Sequence, residues 1–393
     1  MEIIIFKKNE INQQLFKNQE LFINEPFITF DSLKSEVYGN FKDLDHTKAK
    51  LDLLDRVSEK NRRAAAKYLN EYELIKLLCK KQVISRAYFK LYELIYFEPV
   101  VMQQNCDCFF ICEAPGGFIE CISDIRRKKN LQTRYISVSK YDIFIKYNVY
   151  LEESNLIYGD VTDIFVINDT IQRTRKRFPN GMDIVTADGG FDVKVFSAQE
   201  IFVSKLMLCE IYIALRTQKI GGIFIIKFFD MFTHNSMIYY MLLCSFYSYV
   251  KIIKPKSSRN CNSERYLVCY DFKGQSEITD DIYTIIKNFQ NEQKFTKVYP
   301  NFDLSYFENF IKKIRIFNNL ILYEQIKTIN ESIKMVNSKD TYLQNLILGI
   351  FMENKNPVKL YFITLFKNIL GSRIKKCINF LRTYNINHIN ESF

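Results

Sequence analysis

The sequence has no tryptophan, only three histidines, and no apolar run long enough to cross a bilayer. Because His46, His234 and His388 stand far apart, the sequence offers no pattern for a histidine-based metal site or a catalytic triad. The longest apolar stretch, residues 237–250, is interrupted by serines and is shorter than the roughly 20 residues of a transmembrane helix. It predicts a buried helix and no membrane partner.

The ten cysteines show no paired spacing, and no basic, apolar and small-residue signal opens the chain. We therefore expect a reducing, intracellular compartment without disulfides. Cys106, Cys108 and Cys112 invite a metal interpretation, but alternate residues of a strand share one face, where small thiols usually pack in a core. The expectation is that no metal is bound.

The composition is that of a globular protein with a sizeable core, at 48% apolar and 15% aromatic residues in a chain of 393. A formal net charge of +11 favours a polyanionic partner, either nucleic acid or an anionic membrane surface. From Glu353 onward, seven residues are basic and two are acidic. A solvated helix face explains this basic tail as well as phosphate contacts do.

Three regions follow from the pattern along the chain. Residues 1–80 carry apolar residues at helical intervals and predict a helical N-terminal region. Residues 81–274 alternate short apolar runs with helical stretches, which predicts an α/β domain whose parallel sheet has helices on both faces. Residues 275–393 return to helical periodicity and predict a basic helical C-terminal extension. Seven runs are predicted strands: 109–117, 135–139, 156–160, 182–190, 221–229, 250–254 and 265–272.

The first predicted strand runs into a Pro-Gly-Gly turn at residues 115–117, and a helix follows it. Glycines let the backbone approach a ligand closely, and the amides of the helix N-terminus are open to an anion. An ordinary tight turn explains the same letters. Neither the GxGxxG dinucleotide pattern nor the GxxxxGK[ST] phosphate loop occurs in the chain.

Charged residues end three further strands. Asp160 follows the third strand, where its carboxylate would accept hydrogen bonds from a nucleoside or would cap the next helix. Asp188 ends the fourth strand before a glycine pair, and Lys227 follows four apolar residues, 223–226, of the fifth. A buried lysine needs an acidic partner, and Asp188 on the neighbouring strand is the candidate. A buried ion pair without a chemical role fits these residue types equally well.

Six ordered segments together resemble the FtsJ-like family of RNA ribose 2′-O-methyltransferases, and within it the eukaryotic and large-DNA-virus mRNA cap methyltransferases. The similarity covers about half of the chain, and the flanking regions carry no family motif that the sequence alone identifies. It implies a Rossmann-like S-adenosylmethionine-dependent methyltransferase core with a seven-stranded, mostly parallel sheet and helical extensions. The segments are SRAYFKL (85–91), CEAPGGF (112–118), GDVTD (159–163), TADGGFD (186–192), IIKFFDMFT (225–233) and KPKSSRNCNSERYLV (254–268).

The resemblance also implies roles for individual residues. The catalytic tetrad of the family corresponds to Lys90, Asp188, Lys227 and Glu264. The residues implied to hold S-adenosylmethionine are Ser85, Cys112, Glu113, Ala114, Pro115, Gly116, Gly117, Phe118, Asp160 and Val161. Those implied to lie near the RNA are Arg259, Asn262 and Ser263, with Arg62 and Arg63 at the cap.

The sequence departs from many relatives at the end of the second strand, where an acidic residue would contact the donor ribose and this chain has Ser139-Lys140. A serine hydroxyl or Asp142 would have to take that contact. In the chemistry that the residues allow, Lys227 is the base for a ribose 2′-hydroxyl. We expect Lys90 and partial burial to lower the pKa of Lys227, Asp188 to orient its amine, and Glu264 to pair with Lys90. The chemistry requires no metal, because the leaving thioether is neutral.

The implied substrate is the ribose of the first transcribed nucleotides of capped mRNA, in the cytoplasm or the nucleus. Since tryptophan is absent, stacking on a base must use tyrosine or phenylalanine. The basic runs 126–129 and 173–177 fit phosphate contacts and solvated helix ends about equally well. Two other functions stay open: a ribosomal or transfer RNA ribose 2′-O-methyltransferase, and a catalytically inactive methyltransferase fold that serves as an RNA-binding subunit.

Overall fold

The computed structural model describes residues 3–7, 13–17, 19–24, 46–47, 64–140, 152–190, 199–290, 296–337 and 367–387. The chain divides into two compact units. The first unit comprises residues 1–39, 94–254 and 264–318. The second unit comprises residues 40–93, 255–263 and 319–393. The domain boundaries expected at residues 80 and 274 stay a prediction.

Ten strands occur in the described part of the chain. Two short ones, β2 (Phe22–Asn24) and β10 (Thr296–Val298), pair antiparallel with each other. The other eight form one sheet in the order β1-β8-β9-β7-β6-β3-β4-β5. These eight are β1 (Ile3–Lys7), β3 (Asp107–Ile111), β4 (Arg134–Ser139), β5 (Leu156–Tyr158), β6 (Met182–Ala187), β7 (Gln218–Phe228), β8 (Tyr247–Ile253) and β9 (Arg265–Phe272).

Besides the helical residues 46–47 and 64–69, nine helices in the described part of the chain are numbered in order. They are α1 (Ile75–Leu78), α2 (Ala87–Ile95), α3 (Gly117–Arg127), α4 (Ile164–Arg177), α5 (Gln199–Thr217), α6 (His234–Phe246), α7 (Glu277–Gln290), α8 (Glu308–Val336) and α9 (Lys367–Thr383). Short 3-10 turns cover Gln13–Phe16, Pro99–Met102, Glu153–Asn155 and Leu304–Phe307.

The predicted α/β class and its seven-stranded, mostly parallel sheet are confirmed. Strands β7, β6, β3, β4 and β5 run parallel, whereas β9 and β8 run antiparallel to their neighbours. All six residues of β6 are buried, as expected for a parallel strand with both faces covered. Ile111 pairs with Ala187, and Ala187 with Ile226. The carboxyl ends of β3, β6 and β7 therefore meet at one edge of the sheet.

An eighth strand, β1, extends the sheet beyond β8, with Ile3 opposite Ile253. The apolar stretch 237–250 forms a buried helix as expected, since every residue of α6 is buried. The helix ends earlier than the stretch does, and β8 begins at Tyr247 instead of Val250. Among the described residues, no helix is both long enough and apolar enough to cross a membrane.

The second unit has its own aromatic core and its own buried carboxylates. The Phe89 ring of α2 packs edge-on against Phe380 of α9, with ring centroids 6.3 Å apart. Glu93, also on α2, is 5% exposed and accepts hydrogen bonds from the amides of Lys256 and Ser257, each at 2.8 Å. These two hydrogen bonds hold Lys256 and Ser257 next to α2, the helix that carries Lys90.

Candidate active site

A cavity of about 550 Å³ opens at the edge of the sheet where β3 to β7 end in the first unit. This is the position at which open parallel sheets bind their ligands. Its volume is sufficient for a nucleoside-sized ligand. The lining residues are Cys112, Ala114, Ser139, Lys140, Gly159, Asp160, Val161, Thr162, Asp188, Gly189, Gly190, Phe202, Lys205, Leu206 and Lys227.

The turn after β3 forms one wall of the cavity. Cys112 adopts a left-handed backbone conformation, with φ of 58°, and its amide donates to the carbonyl of Val138 at 2.8 Å. The amide of Ala114 donates to the Ser139 hydroxyl at 3.1 Å. The end of β4 therefore holds the turn in place. Gly116, with φ of 106°, precedes the first residue of α3, at a backbone conformation that favours glycine.

Asp160 follows β5 and lines the same cavity. Its Oδ2 atom is 2.8 Å from Nζ of Lys140, and its Oδ1 atom accepts from the amide and the hydroxyl of Thr162 at 3.0 and 2.8 Å. Burial raises the pKa of Asp160, but the hydrogen bonds from Lys140 and Thr162 outweigh it, so the pKa is lowered. Asp160 does not cap α4, because Asp163 does so by accepting from the amide of Phe165 at 2.8 Å.

Lys227 and Asp188 form the expected ion pair at the ends of β7 and β6. Nζ of Lys227 is 3.2 Å from Oδ1 of Asp188, and it donates to the Asp188 carbonyl oxygen at 2.7 Å. The side chains are only 12% and 15% exposed. On β9, Tyr266 donates its hydroxyl to the same Oδ1 atom at 2.9 Å. The amine is therefore held by two oxygens of one residue, and the carboxylate by two donors.

The direction of the pKa shift at Lys227 is opposite to the expectation. Burial lowers the pKa of Lys227, but the carboxylates of Asp188 and Glu264 outweigh burial, and the pKa is raised above 10.5. Lys227 is therefore an ammonium ion at neutral pH in the structure. The expectation of a lowered pKa was wrong because it gave too little weight to the acidic side chains around the amine.

The comparisons with known proteins agree with this geometry. Residues 83–272 match the family described as FtsJ-like methyltransferase. This segment is an FtsJ-like methyltransferase domain. Its ends lie close to the limits 81–274 that the sequence pattern predicts for the α/β region.

Three curated relatives extend the similarity beyond the FtsJ-like domain. Cap-specific mRNA (nucleoside-2′-O-)-methyltransferase 2 of Mus musculus is 27% identical over 295 residues, which cover 68% of this chain and 37% of the mouse protein. The Drosophila melanogaster protein of the same name is 26% identical, and the aligned residues cover 68% of this chain and 41% of the Drosophila protein. Cap-specific mRNA (nucleoside-2′-O-)-methyltransferase 1 of Homo sapiens is 29% identical, and the aligned residues cover 61% of this chain and 31% of the human protein. The chain spans about a third of the length of these relatives.

Four of the residues expected at the methyl donor line the cavity of the FtsJ-like domain: Cys112, Ala114, Asp160 and Val161. The others of the same turn, residues 113 and 115–118, are not among its lining residues. Of these, Glu113 is buried, and its Oε1 atom accepts from the Thr186 hydroxyl at 3.4 Å. Burial and the neighbouring charge of Asp188 raise the pKa of Glu113 well above its usual range. Asp142 lies outside the described residues.

Other predicted site residues belong to the second unit. Lys90 lies on α2, and Ser85 precedes that helix with its hydroxyl oxygen buried and without a hydrogen-bond partner in the described part of the chain. The roles predicted for both stay predictions.

The residues expected near RNA are also in this unit. Arg259 forms a two-pronged ion pair with Glu73, at 2.7 Å from NH2 to Oε1 and 3.0 Å from Nε to Oε2. Asn262 Oδ1 accepts from the Ser258 hydroxyl at 3.4 Å, and Ser263 is 3% exposed. Their contacts with RNA stay predictions. Arg62 and Arg63, expected at the cap, lie outside the described residues.

The sequence interpretation missed several residues of the site. Phe202, Lys205 and Leu206 reach the cavity from α5, a helix that carries no recognised motif. Tyr266 holds Asp188, and its only signal is its place two residues after Glu264. Glu210 is a buried carboxyl in an otherwise apolar helical run, and that isolated acid was a usable signal.

The first residue of the basic run 126–129, Arg126, is neither a solvated helix end nor exposed to a ligand. Arg126 is 1% exposed, and its guanidinium donates to the carbonyls of Val101 and Gln103 at 2.9 Å and of Gln132 at 2.6 Å. Arg126 is therefore a structural residue, because its buried guanidinium is occupied by backbone carbonyls.

The predicted core packing is present for Cys106 and Cys108, whereas Cys112 is half-buried and lines the cavity. Cys106 and Cys108 are buried with their sulfurs 3.8 Å apart. In the described ranges, no group of three or more His, Cys, Asp or Glu side chains is placed to hold a metal ion.

Proposed function

We propose that this protein is an S-adenosylmethionine-dependent mRNA cap 2′-O-methyltransferase that acts on the ribose of the first transcribed nucleotides. The observation that carries the proposal is the Lys227 amine, held by Asp188 in the wall of a nucleoside-sized cavity. The FtsJ-like domain supports methyl transfer to RNA, and the names of the curated relatives support the cap.

The residues that line the cavity support a methyl donor that carries adenosine. Asp160 offers a carboxylate to the hydroxyl or amino groups of a nucleoside, and the turn at Cys112 and Ala114 would bring backbone close to a ligand in the cavity. A Cβ atom at Gly190 would lie 3.2 Å from Nζ of Lys227, so glycine keeps the approach to the amine open. Bound there, the donor would supply an electrophilic methyl group whose departure leaves a neutral thioether.

In this proposal Lys227 accepts the proton of the ribose 2′-hydroxyl. Because Asp188 and Glu264 raise the pKa of Lys227, the ammonium ion must lose its proton before the amine acts as a base. The neutral fraction at pH 7 is small, and it grows as the pH rises. Asp188 fixes the direction of the amine and stabilises the charge that returns to it. Lys90 and Glu264 complete the tetrad on the strength of the family resemblance.

The test is transfer of a radiolabelled methyl group from S-adenosylmethionine to transcripts that differ in their cap and in their first two nucleotides. We expect methylation of capped RNA at the 2′-hydroxyl of the first or second nucleotide. Lys227→Ala should lower kcat by at least about 100-fold, the usual contribution of a general base, while the affinity for capped RNA is retained. Lys227→Arg is the matched control, because arginine keeps the charge but does not release its proton.

Each contrary result has a definite meaning. Equal methylation of uncapped RNA would assign the chain to ribosomal or transfer RNA modification. RNA binding without any methyl transfer by the natural sequence would assign it to the inactive RNA-binding subunits.

The proposed RNA contacts are tested separately. In the proposal, the Arg259 guanidinium contacts an RNA phosphate in addition to Glu73. Arg259→Ala should then weaken the binding of capped RNA and reduce the salt dependence of that binding. An unchanged salt dependence would exclude the contact.

A further inference from the structure

Glu210 is a buried acid on α5 that has no place among the predicted site residues. It is 1% exposed, and the helix residues next to it, Cys209 and Ile211, are fully buried. A carboxyl group in such surroundings is unfavourable unless its oxygens are hydrogen-bonded. Glu210 is not a lining residue of the cavity, so it is not placed to touch a ligand there.

The carboxyl group of Glu210 lies against two loops that line the cavity. Oε1 of Glu210 accepts from the amide of Gly189 at 3.1 Å, directly after Asp188. Cys112, the first residue after β3, lies close enough to the same carboxyl group for its thiol to lower the pKa of Glu210. One side chain on a helix therefore joins the ends of two neighbouring parallel strands.

Gly189 and Glu210 form a matched pair. A Cβ atom built at Gly189 would overlap Oε1 of Glu210, so the carboxyl group of Glu210 would have to move from its present position. Because Gly189 has no side chain, the carboxyl group of Glu210 can approach its backbone and accept a hydrogen bond from its amide. Burial raises the pKa of Glu210 to about 8, although the Lys227 ammonium acts in the opposite direction. Glutamine, neutral and of the same shape, is therefore a close substitute.

We propose that Glu210 is a positioning residue of the methyltransferase site, which holds the Asp188-Gly189 turn and the Cys112 turn at the spacing that the methyl donor requires. The expected effect of Glu210 on methyl transfer rests on the proposed function. Its expected effect on the affinity for the methyl donor rests on the geometry of the two turns.

The experiment measures the affinity for S-adenosylhomocysteine by calorimetry and the kcat and KM of methyl transfer for four variants of the full chain. Glu210→Ala should weaken binding by about tenfold or more, because small displacements of a site have large effects. Glu210→Gln should stay close to the natural protein, since its amide oxygen still accepts from Gly189. Gly189→Ala should weaken binding, and the double change Gly189→Ala with Glu210→Ala should bind more tightly than Gly189→Ala alone, because the clash is gone.

The proposal is overturned if Glu210→Ala binds like the natural protein, or if Glu210→Gln loses as much as Glu210→Ala does. It is also overturned if the natural protein does not bind S-adenosylhomocysteine. Should Glu210→Ala fail to fold, Glu210→Gln and Gly189→Ala decide, and unweakened binding by folded Gly189→Ala would refute the proposal. Binding that follows the expected order without any methyl transfer would refute the proposed function and leave this inference standing.

Discussion

Asp188 and Lys227 were identifiable at the level of the single residue because each ends a predicted strand at the same edge of a sheet. The charge state of Lys227 was not identifiable in that way. It depends on the distances to Asp188 and Glu264, which lie 39 and 37 positions away in the chain and are brought close only by the sheet. Burial and residue type can be read from a sequence more readily than the balance of charges around one amine.

The pKa of Lys227 should fall in Asp188→Asn, since the carboxylate that raises it is removed. Carbon NMR of ε-labelled lysine would follow the titration, with Lys227→Arg assigning the signal. An unchanged midpoint would show that Asp188 does not govern the amine.

The same shift predicts how stability depends on pH. A raised lysine pKa stabilises the folded state fully below the unfolded value of about 10.5. That stability is lost as the pH rises through the folded pKa. At pH 8 the natural protein should therefore have a larger free energy of unfolding than Asp188→Asn. This difference should become smaller above pH 10.5, and urea unfolding of both proteins at each pH would measure it.

Arg126 and Arg127 are adjacent and identical in type, yet their environments differ. Arg126→Ala should lower the free energy of unfolding by about 3 kcal/mol or more, because it leaves several buried carbonyls without donors. Arg127→Ala should cost less than about 1 kcal/mol, because Arg127 pairs with Asp124 from a side chain that is 67% exposed. Urea unfolding of both variants measures the difference. Equal losses would contradict the assignment of Arg126 as structural.

At the scale of elements, the seven predicted strands were found because each is a short apolar run bounded by turns. The limits were less predictable where two elements share one apolar run. Residues 237–250 contain the end of α6 and the start of β8, and the two serines that interrupt the stretch, Ser245 and Ser248, do not mark the residue at which the helix ends. Pairing with β9 decides where the helix gives way to the strand, and that partner is distant in the sequence.

The start of α4 offers a test at this scale, since Asp160 and Asp163 stand three residues apart with different partners. Asp163→Ala should lower the free energy of unfolding by about 1 kcal/mol through loss of the helix cap, without changing the affinity for S-adenosylhomocysteine. Asp160→Ala should weaken that affinity. Calorimetry and urea unfolding on both variants separate the two effects. A weaker affinity in Asp163→Ala alone would reverse the assignment.

At the scale of the whole molecule, the outermost strand β1 was not predicted. Five residues give little periodicity, and their state is decided by β8, about 240 positions further on. The sheet was thus predictable where it is parallel and buried, and less so at an edge where a partner far along the chain determines the pairing.

Removal of residues 1–12 should leave β8 as an open edge. We expect a lower Tm and concentration-dependent association, because an unpaired strand edge pairs with other chains. Affinity for S-adenosylhomocysteine should be retained, since β8 and β9 separate β1 from β7 in the sheet. Thermal unfolding and light scattering measure these effects. A truncated chain that stays monomeric with an unchanged Tm would show that β1 does not protect the edge.

The antiparallel pairing of β7 with β9 sets Lys227 directly opposite Tyr266. Successive residues of a strand point to opposite faces, so the insertion of a single amino acid within β9 before Tyr266 would turn its phenol away from Asp188. A shift of one residue within β9 should therefore break the hydrogen bond between Tyr266 and Asp188, whereas a shift of two residues would again place a side chain on the face that Tyr266 occupies.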